Sequence, residues 1–361
     1  MNKSIKKLLR NIANSPLGDK FVRSLGILRI GVILDVYLDK RKFLNEAKNV
    51  FNSGQGILGN YEDYRLALNK HWVTYSEYAF QYAFPEKTEA ERDEFVSRRR
   101  MAYIYQIYTP VDAKAKFRNK ARFVDMFGKY VYRQWKYVPM ISFTDFDCMV
   151  SKYDCIAKPS SGKLGRGIFK IYKNSDIAEK QRYYDYCVKN KYLIEECVKE
   201  CDALRAFHPQ SLNTLRVVTI ANRNKAKVFS GVLRTGVGES VVDNSHAGGL
   251  SAQINIDTGV VETDGVNTRG ERFEVHPDSG IKFKGFHIPN WDDVVATCCE
   301  AAKSVNTLIT GWDVAVNIND KVEIIEANYG PDMDMMQARY QKGAKKMIYG
   351  LINEYHGINI K

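Results

Sequence analysis

The 361-residue sequence has few of the residues that build disulfide frameworks or zinc sites. It contains seven cysteines and six histidines, without any C-x-x-C pair and with Cys298 directly before Cys299. An odd number of cysteines without framework spacing favours reduced thiols in a cytosolic protein. We therefore expect neither a disulfide scaffold nor a zinc site.

The sequence also lacks a hydrophobic run long enough to cross a bilayer. The most apolar stretch, LGILRIGVILDVYL at residues 25–38, contains Arg29 and Asp35 and is shorter than the ~20 residues of a transmembrane helix. The start, MNKSIKKLLRNIANS, is basic but has no long apolar core and no small-residue cleavage site. We expect a soluble, cytoplasmic protein, with peripheral contact at the inner membrane face as an open alternative.

Acidic residues are fewer than basic ones, 42 against 54, so the net charge is +12. The first 50 residues hold 11 Lys and Arg against 4 Asp and Glu and account for most of this excess. A basic arm suits an anionic membrane surface or an acidic polysaccharide, or else it is the solvated face of a packed helix. No run of aromatic and basic residues predicts single-strand nucleic acid binding, and we expect no nucleic acid partner.

The chain is long enough to bury a sizeable core, and its pattern changes along its length. Residues 1–109 form a basic, mostly helical region in which IKKLLRNI and TEAERDEFVSRRRMAYIYQIY each predict an amphipathic helix, the second with Thr88 as N-cap and Glu91 three residues on. Strands dominate from about Asp154 to Glu326, with helices near 176–190 and 291–308. We place a domain boundary at Thr109–Pro110.

The segments WDVAVNI and VEIIEAN flank NDK and predict a β-hairpin. A two-residue loop at Asn319–Asp320 would place Asp313 opposite Glu326, with Asn328 on the same face. Two bare carboxylates about 5 Å apart repel each other, and a hard divalent cation would resolve the repulsion. The alternative is a solvated strand end with a shifted register.

The stretch AKPSSGKLGRG places Lys158 at the end of a predicted strand and follows it with a glycine-rich loop. Loops of this kind fold over phosphates because their N–H groups and cations stabilise the anion. The spacing is not that of a P-loop. A mobile turn is the alternative.

Together these motifs resemble the ATP-grasp superfamily, and in particular its sugar-transfer-associated group from polysaccharide biosynthesis. The resemblance covers roughly residues 120–337 and is carried by NKARFVDMF, IAKPSSGKLGRGI, YLIEECV, NTLRVVT, DNSHAGGL and GWDVAVN…VEIIEANYGPD. It implies an α+β fold in which two lobes clasp ATP. Residues 110–199 would contain the small nucleotide lobe and residues 200–361 would form the larger lobe with the metal site.

The resemblance also implies positions for the nucleotide and the metal. Lys120 and Lys158 would contact the phosphates, and Asp202 or Glu200 would hold the ribose. The loop over the phosphates would include Ser160, Ser161, Gly162, Gly165 and Gly167. The adenine hinge would be formed by Glu195, Glu196, Cys197 and Val198, although Cys197 by itself is more typical of a small buried apolar residue. The ligands of Mg²⁺, for which Mn²⁺ could substitute, would be Asp313, Glu326 and Asn328.

Three catalytic roles follow from the resemblance. Lys158 and Arg216 would balance charge on the transferred phosphoryl group, unless Arg216 is a surface residue on an edge strand. His246, in the loop that also holds Asn244 and the Gly248–Gly249 pair, would bind the acceptor or act as a base, or else it is structural.

The activity that the resemblance implies is ATP- and Mg²⁺-dependent ligation of a carboxylate to an amine through an acyl phosphate. The subgroup points to a uronic acid or related carboxylate of a bacterial capsule or lipopolysaccharide. Two other classes stay open. One is a sugar or small-molecule kinase on the same fold, and the other is an inactive module that binds nucleotide or an anionic polymer.

Overall fold

The computed structural model describes residues 43–45, 47–48, 51, 59–161, 167–239, 248–267 and 269–360, without the side chains of Arg118 and Met335. The helix predicted for residues 5–12 and nearly all of the basic arm lie outside these ranges. Within them, no helix is long and apolar enough to cross a membrane.

The described residues before the first strand are mostly helical. The helices are α1 (Tyr61–His71), α2 (Glu89–Asp93), α3 (Arg98–Tyr108), α4 (Val111–Arg118) and α5 (Lys120–Met126). Short π- and 3₁₀-helical turns at Glu77–Gln81 and Phe84–Glu86 separate α1 from α2. An aromatic cluster packs these elements together, with Tyr64, Tyr78, Tyr82, Phe84 and Phe95 in its buried part.

The single helix predicted for residues 88–108 is in fact two helices. The predicted capping box of Thr88 and Glu91 is present at the start of α2, but α2 ends at Asp93. Ser97 then caps α3 through its side chain, while the amide of Val96 donates to Gln337 Oε1 at 3.0 Å. Tertiary contacts therefore override the helical periodicity at the break, where Phe95 and Val96 are buried.

The small lobe is a four-stranded antiparallel sheet with two helices. Its strands run in the spatial order β1-β4-β2-β3, so β4 and β2 are central. The elements are β1 (Trp135–Tyr137), α6 (Phe143–Lys152), β2 (Cys155–Pro159), β3 (Phe169–Ile171), α7 (Ile177–Asn190) and β4 (Tyr192–Glu196). The structure thus confirms the helix predicted near 176–190 and the strands that flank the glycine-rich loop.

The large lobe is a seven-stranded antiparallel sheet in the order β11-β10-β5-β6-β7-β8-β9. Its strands are β5 (Thr214–Ala221), β6 (Ala226–Thr235), β7 (Leu250–Ile254), β8 (Gly265–Val266), β9 (Arg272–Phe273), β10 (Thr310–Val316) and β11 (Val322–Asn328). Its helices are α8 (Asp202–Arg205), α9 (Trp291–Lys303), α10 (Asp334–Tyr340) and α11 (Lys345–His356). The predicted β10–β11 hairpin forms, and β5 and β6 form a second antiparallel hairpin.

Two hydrophobic clusters bury the large sheet. In one of them Trp291, Val294 and Cys298 of α9 pack with the sheet. In the other, Ile104 and Tyr105 of α3 join the sheet and residues of α11 such as Ile348 and Ile352. The predicted boundary at Thr109–Pro110 falls between α3 and α4, so α3 lies on its N-terminal side and yet shares a core with the C-terminal helix.

Candidate active site

The β10–β11 hairpin brings two predicted metal ligands face to face. Asp313 pairs with Glu326, and Gly311 pairs with Asn328. The predicted two-residue loop is wrong, because Asn317 closes the turn by donating its amide to Lys321 O at 2.9 Å. A register shift between Asp313 and Val314 then restores the predicted pair.

Asp313 is not a bare carboxylate, which corrects the repulsion argument made from the sequence. Its oxygens accept two bonds from Arg216, one of them from Nη2 at 2.9 Å, and a third from Arg234 Nη1 at 3.1 Å. Burial alone would raise the pKa of Asp313, but the two guanidinium groups hold it below its usual value. Arg216 lies on β5, between β10 and β6, so the edge-strand alternative is wrong.

Lys158 lies at the end of β2 and forms an ion pair with Glu195 of β4. Glu195 also accepts a bond from Arg133 Nη2 at 2.9 Å. Burial alone would raise the pKa of Glu195, but Arg133 and Lys158 together lower it. The Glu195 side chain therefore holds Lys158, the predicted phosphate contact, in place, although the resemblance implied that Glu195 lies in the adenine hinge.

Arg133 extends this ion pair from the small lobe to the large one. Its Nη1 donates to Glu323 Oε1 at 2.8 Å and to the carbonyl of Ile324 at 3.0 Å, both on β11. Sequence reasoning missed Arg133 and Glu323. The sequence contains one indication of this contact. Glu323 is an acidic residue between Val322 and Ile324, in a strand whose apolar pattern predicts burial.

The glycine-rich loop is anchored at both of its described ends. Ser160 is buried, and its carbonyl accepts from the Lys120 amide at 2.8 Å, which places the two predicted phosphate-binding segments side by side. At the other end, Gly167 has a φ of +76° and its carbonyl accepts from the Tyr192 hydroxyl at 2.9 Å. A side chain at Gly167 would be strained and would meet that hydroxyl. Gly162 and Gly165 lie outside the described residues.

Two backbone amides of the predicted hinge already donate hydrogen bonds to neighbouring backbone carbonyls. The amide of Glu196 donates to Gln134 O and the amide of Cys197 donates to Asp154 O, both at 2.8 Å. Burial raises the pKa of the Cys197 thiol to about 11, which suits an inert thiol. Val198, directly after these two residues, is the remaining hinge position for an amide contact with a base.

The two ribose candidates have different surroundings. Glu200 is buried and accepts from the side-chain amide of Asn213 at 2.9 Å. Asp202 is the first residue of α8, and its side chain is 82% exposed beside Arg205. Of the two carboxylates, that of Asp202 is therefore the one that a ligand can reach directly.

A cavity of about 500 Å³ runs along the exposed edge of β11. Its polar lining brings together predicted site residues, namely Lys120, Lys158, Ser161, Glu326 and Asn328. Its aromatic lining consists of Tyr105, Phe117, Phe123 and Tyr329. Asp313 on β10 and Arg216 on β5 lie one and two strands further into the sheet, and His246 and Asn244 lie outside the described residues.

The polar lining residues of this cavity fit a nucleotide phosphate and a hard cation. The pKa of Lys120 is lowered by burial and by Lys158, against the attraction of Glu326 and Glu195. The ammonium groups of Lys120 and Lys158 lie close together, and burial disfavours the charged form of Lys120. An anion such as a phosphate would stabilise both charges. Carboxylate and amide oxygens, as in Glu326 and Asn328, are ligands that suit Mg²⁺.

Comparison with known proteins extends these observations. A family model described as sugar-transfer-associated ATP-grasp matches residues 99–350, whereas a search of curated proteins gives no significant match. Among solved structures, the ATP-grasp ligase PsnB in complex with a minimal precursor, Mg and ADP is 11% identical, with a TM-score of 0.42 over 72% of this chain and 66% of that one.

N5-carboxyaminoimidazole synthetase from Staphylococcus aureus in complex with ADP is 10% identical, with a TM-score of 0.41 over 67% of this chain and 53% of that one. The chain thus spans less than two thirds of the length of either protein. The family match covers well over half of this chain, and the two antiparallel α+β lobes agree with the predicted fold. The chain belongs to the sugar-transfer-associated ATP-grasp family.

Proposed function

We propose that the protein is an ATP- and Mg²⁺-dependent ligase that joins a carboxylate to an amine. One observation carries the proposal. Two lysines, a loop serine, a carboxylate and an amide from both lobes line a single cavity. These groups neutralise phosphate charge and position a phosphoryl group for transfer, which is what such chemistry requires of a protein.

The direction of the chain supports an order of subsites along the cavity. On β2, residues before Lys158 lie towards the hinge, since Cys155 pairs with Glu196. Residues after Lys158 lead to the glycine-rich loop. The base and the ribose would therefore lie near Val198 and Asp202, and the terminal phosphate near Ser161. The acceptor would then lie against the aromatic lining residues, beside Tyr329.

Mg²⁺ would be held by Glu326 and Asn328. Asp313 would become the third ligand once Arg216, its present partner, also binds the phosphate. The metal would neutralise charge between the terminal phosphates. Lys120 and Lys158 would hold the phosphate oxygens, and Arg216 would face the transferred group. His246 would bind the acceptor or take a proton from the amine.

The reaction would proceed in two steps with no covalent enzyme intermediate. A carboxylate oxygen attacks the γ-phosphorus of ATP, and ADP leaves with the former bridging oxygen. The amine then attacks the acyl phosphate, loses a proton and releases phosphate as the amide bond forms. The family description, sugar-transfer-associated, supports a sugar-linked substrate. The carboxylate would be that of a glycan, such as a uronic acid of a capsule or lipopolysaccharide.

The basic arm in residues 1–50 would bring the enzyme to an acidic polysaccharide or to the inner membrane face. A cosedimentation assay with anionic vesicles and with uronate polymers, comparing the full chain with a chain that lacks residues 1–42, tests this part. Equal binding by the two chains would remove the arm from the proposal.

Incubation with ATP, Mg²⁺ and a panel of uronic acids and amines tests the activity itself. We expect release of ADP and free phosphate only when both the carboxylate and the amine are present. Phosphate that stays on the acceptor without any amine would instead identify a kinase. Nucleotide binding without turnover of any pair would identify a binding module.

A further inference from the structure

The buried ion pairs that join the two lobes form a continuous chain of charge. This interlobe charge chain consists of Lys158, Glu195, Arg133 and Glu323, and each of the four side chains is less than one tenth exposed. Lys158 and Glu195 belong to the small sheet, and Glu323 belongs to β11 of the large sheet. The two cations and two anions balance each other.

Burying four charges brings little net stability, because desolvation offsets most of the attraction between them. Apolar residues of similar size would hold the two sheets together at least as well. Buried ionic groups instead fix one geometry when their bonds are directional. The interlobe charge chain therefore indicates that the two lobes must keep a fixed position relative to each other.

Arg133 is the residue that makes this geometry directional. Its Nη2 donates to Glu195, and its Nη1 donates to Glu323 and to the carbonyl of Ile324. Its backbone amide donates to the same Glu323 oxygen at 3.0 Å. Only the planar fork of arginine serves both lobes at once, because a lysine offers one nitrogen on a flexible stem.

The interlobe charge chain contacts the cavity lining from both lobes. Lys158 lines the cavity from the small lobe, and Ile325, whose carbonyl accepts from Arg133 Nη2 at 3.4 Å, lines it from the large lobe together with Glu326. Arg133 itself is not among the lining residues. It can therefore affect a ligand only through its neighbours.

We propose that Arg133 is a positioning residue of the nucleotide site, which sets the distance between Lys158 and the cavity edge of β11. The proposal rests on the proposed use of ATP. Its substitution should weaken nucleotide binding through Lys158, in addition to any loss of fold stability.

Calorimetric titration of ADP and Mg²⁺ tests the proposal with Arg133→Lys, which keeps the charge and loses the fork. We expect affinity to fall about tenfold, the equivalent of one charge-assisted hydrogen bond. Arg92→Lys is the matched control, because Arg92 makes a similar fork to Asp63, at 2.7 and 2.9 Å, within the N-terminal helices. That variant should lose thermal stability and keep its ADP affinity.

A double-mutant cycle with Lys158→Ala separates positioning from general damage. If Arg133 acts through Lys158, Arg133→Lys should change ADP affinity little in the Lys158→Ala background. Additive losses would overturn the positioning role while leaving ATP use intact. A wild-type chain that binds no ADP with Mg²⁺ would overturn the proposed function and this proposal with it.

If Arg133→Lys fails to fold, the double variant Arg133→Met with Glu323→Gln replaces it. This variant removes one cation and one anion and leaves the Lys158–Glu195 pair balanced. We expect a folded protein whose ADP affinity stays about tenfold below that of the wild type. Wild-type affinity in this variant would show that only charge balance matters and would overturn the proposal.

Discussion

Asp313 illustrates how a residue's partners decide its chemistry. Its carboxylate is already compensated by Arg216 and Arg234, so the pair with Glu326 on β11 stores little repulsion in the metal-free protein. Arg216 is attracted by both carboxylates. A metal or a phosphate at this place would therefore compete with existing ion pairs instead of filling an unbalanced site.

The first residue-scale prediction concerns Glu326→Gln. Turnover should fall about a hundredfold or more, because a preorganised anionic ligand of the metal is lost. The melting temperature without metal should change little, since Asp313 is neutralised by its arginines. Turnover against Mg²⁺ concentration and thermal unfolding measure the two effects. Full activity at ordinary Mg²⁺ would remove Glu326 from the site, and Glu271→Gln, which changes an exposed carboxylate, is the control.

The second concerns the proton on Lys120, whose pKa lies below the ordinary 10.5 because of burial. In the free protein the amine loses its proton as pH rises through this lowered value. A bound phosphate should raise the pKa again, so nucleotide binding should take up a proton at alkaline pH below 10.5. Calorimetry in buffers of different ionisation enthalpy measures this uptake. Lys120→Arg should abolish it, and equal uptake in that variant would assign the proton to another group.

The same shift has a consequence for stability. A lysine whose folded pKa is lowered costs stability at neutral pH, and this cost is relieved as pH rises through the lowered value. Lys120→Met should therefore melt at a higher temperature than the wild type in the absence of nucleotide and should bind ADP more weakly. A lower melting temperature in Lys120→Met would contradict this assignment.

At the scale of elements, the β10–β11 hairpin shows how much of a site the alternation of residues in a strand can predict. Period-two alternation placed Asp313, Glu326 and Asn328 on one end of a hairpin, and the structure agrees. The loop was wrong because Asn317 closes the turn with its own side chain, which accepts from the amides of Asn319 and Lys321 at 3.0 and 3.1 Å. Side-chain closure of a turn and a compensating bulge are not visible in alternation alone.

Asn317→Ala tests this turn. Two amides would lose their acceptor, and the free energy of unfolding should fall by about 1–2 kcal/mol. Urea unfolding measures the loss, and Asn319→Ala is a control that removes a neighbouring side chain and leaves the two bonds in place. A loss of equal size in both variants would contradict the role of Asn317.

Sequence reasoning succeeded where the signal is local and failed where it is distant. The capping box of Thr88 and Glu91, which the structure confirms, lies in one short motif. Arg133 reaches Glu323 across 190 residues, and no periodicity marks such a partner. The break before α3 likewise depends on Gln337, far along the chain.

At the scale of the whole molecule, a helix from before the predicted boundary at 109 and the C-terminal helix stabilise the same sheet. Met101 and Ile104 of α3 lie with Ile348 and Ile352 of α11 in one buried cluster. We therefore expect that the large lobe needs α3 in order to fold. A chain of residues 110–361 should fail to unfold cooperatively, and cooperative unfolding of that fragment would show that the boundary at 109 separates independent units.

A milder test keeps the whole chain. Ile104 is 2% exposed, and Ile104→Ala should cost about 2–4 kcal/mol because it leaves a cavity between α3 and the sheet. Leu66→Ala, at a position that is 59% exposed, should be close to neutral. Chemical denaturation of both variants gives the comparison, and a neutral Ile104→Ala would contradict the shared core.

The central claim is that this fold activates a carboxylate with ATP. The most direct measurement labels the carboxylate oxygens of an accepted uronic acid with oxygen-18 and follows the label during turnover with ATP, Mg²⁺ and an amine. The account predicts that one labelled oxygen leaves with each released phosphate, because the acyl phosphate is cleaved at the acyl carbon. Unlabelled phosphate, with both labelled oxygens kept in the acceptor, would contradict carboxylate activation and require a different reaction at this site.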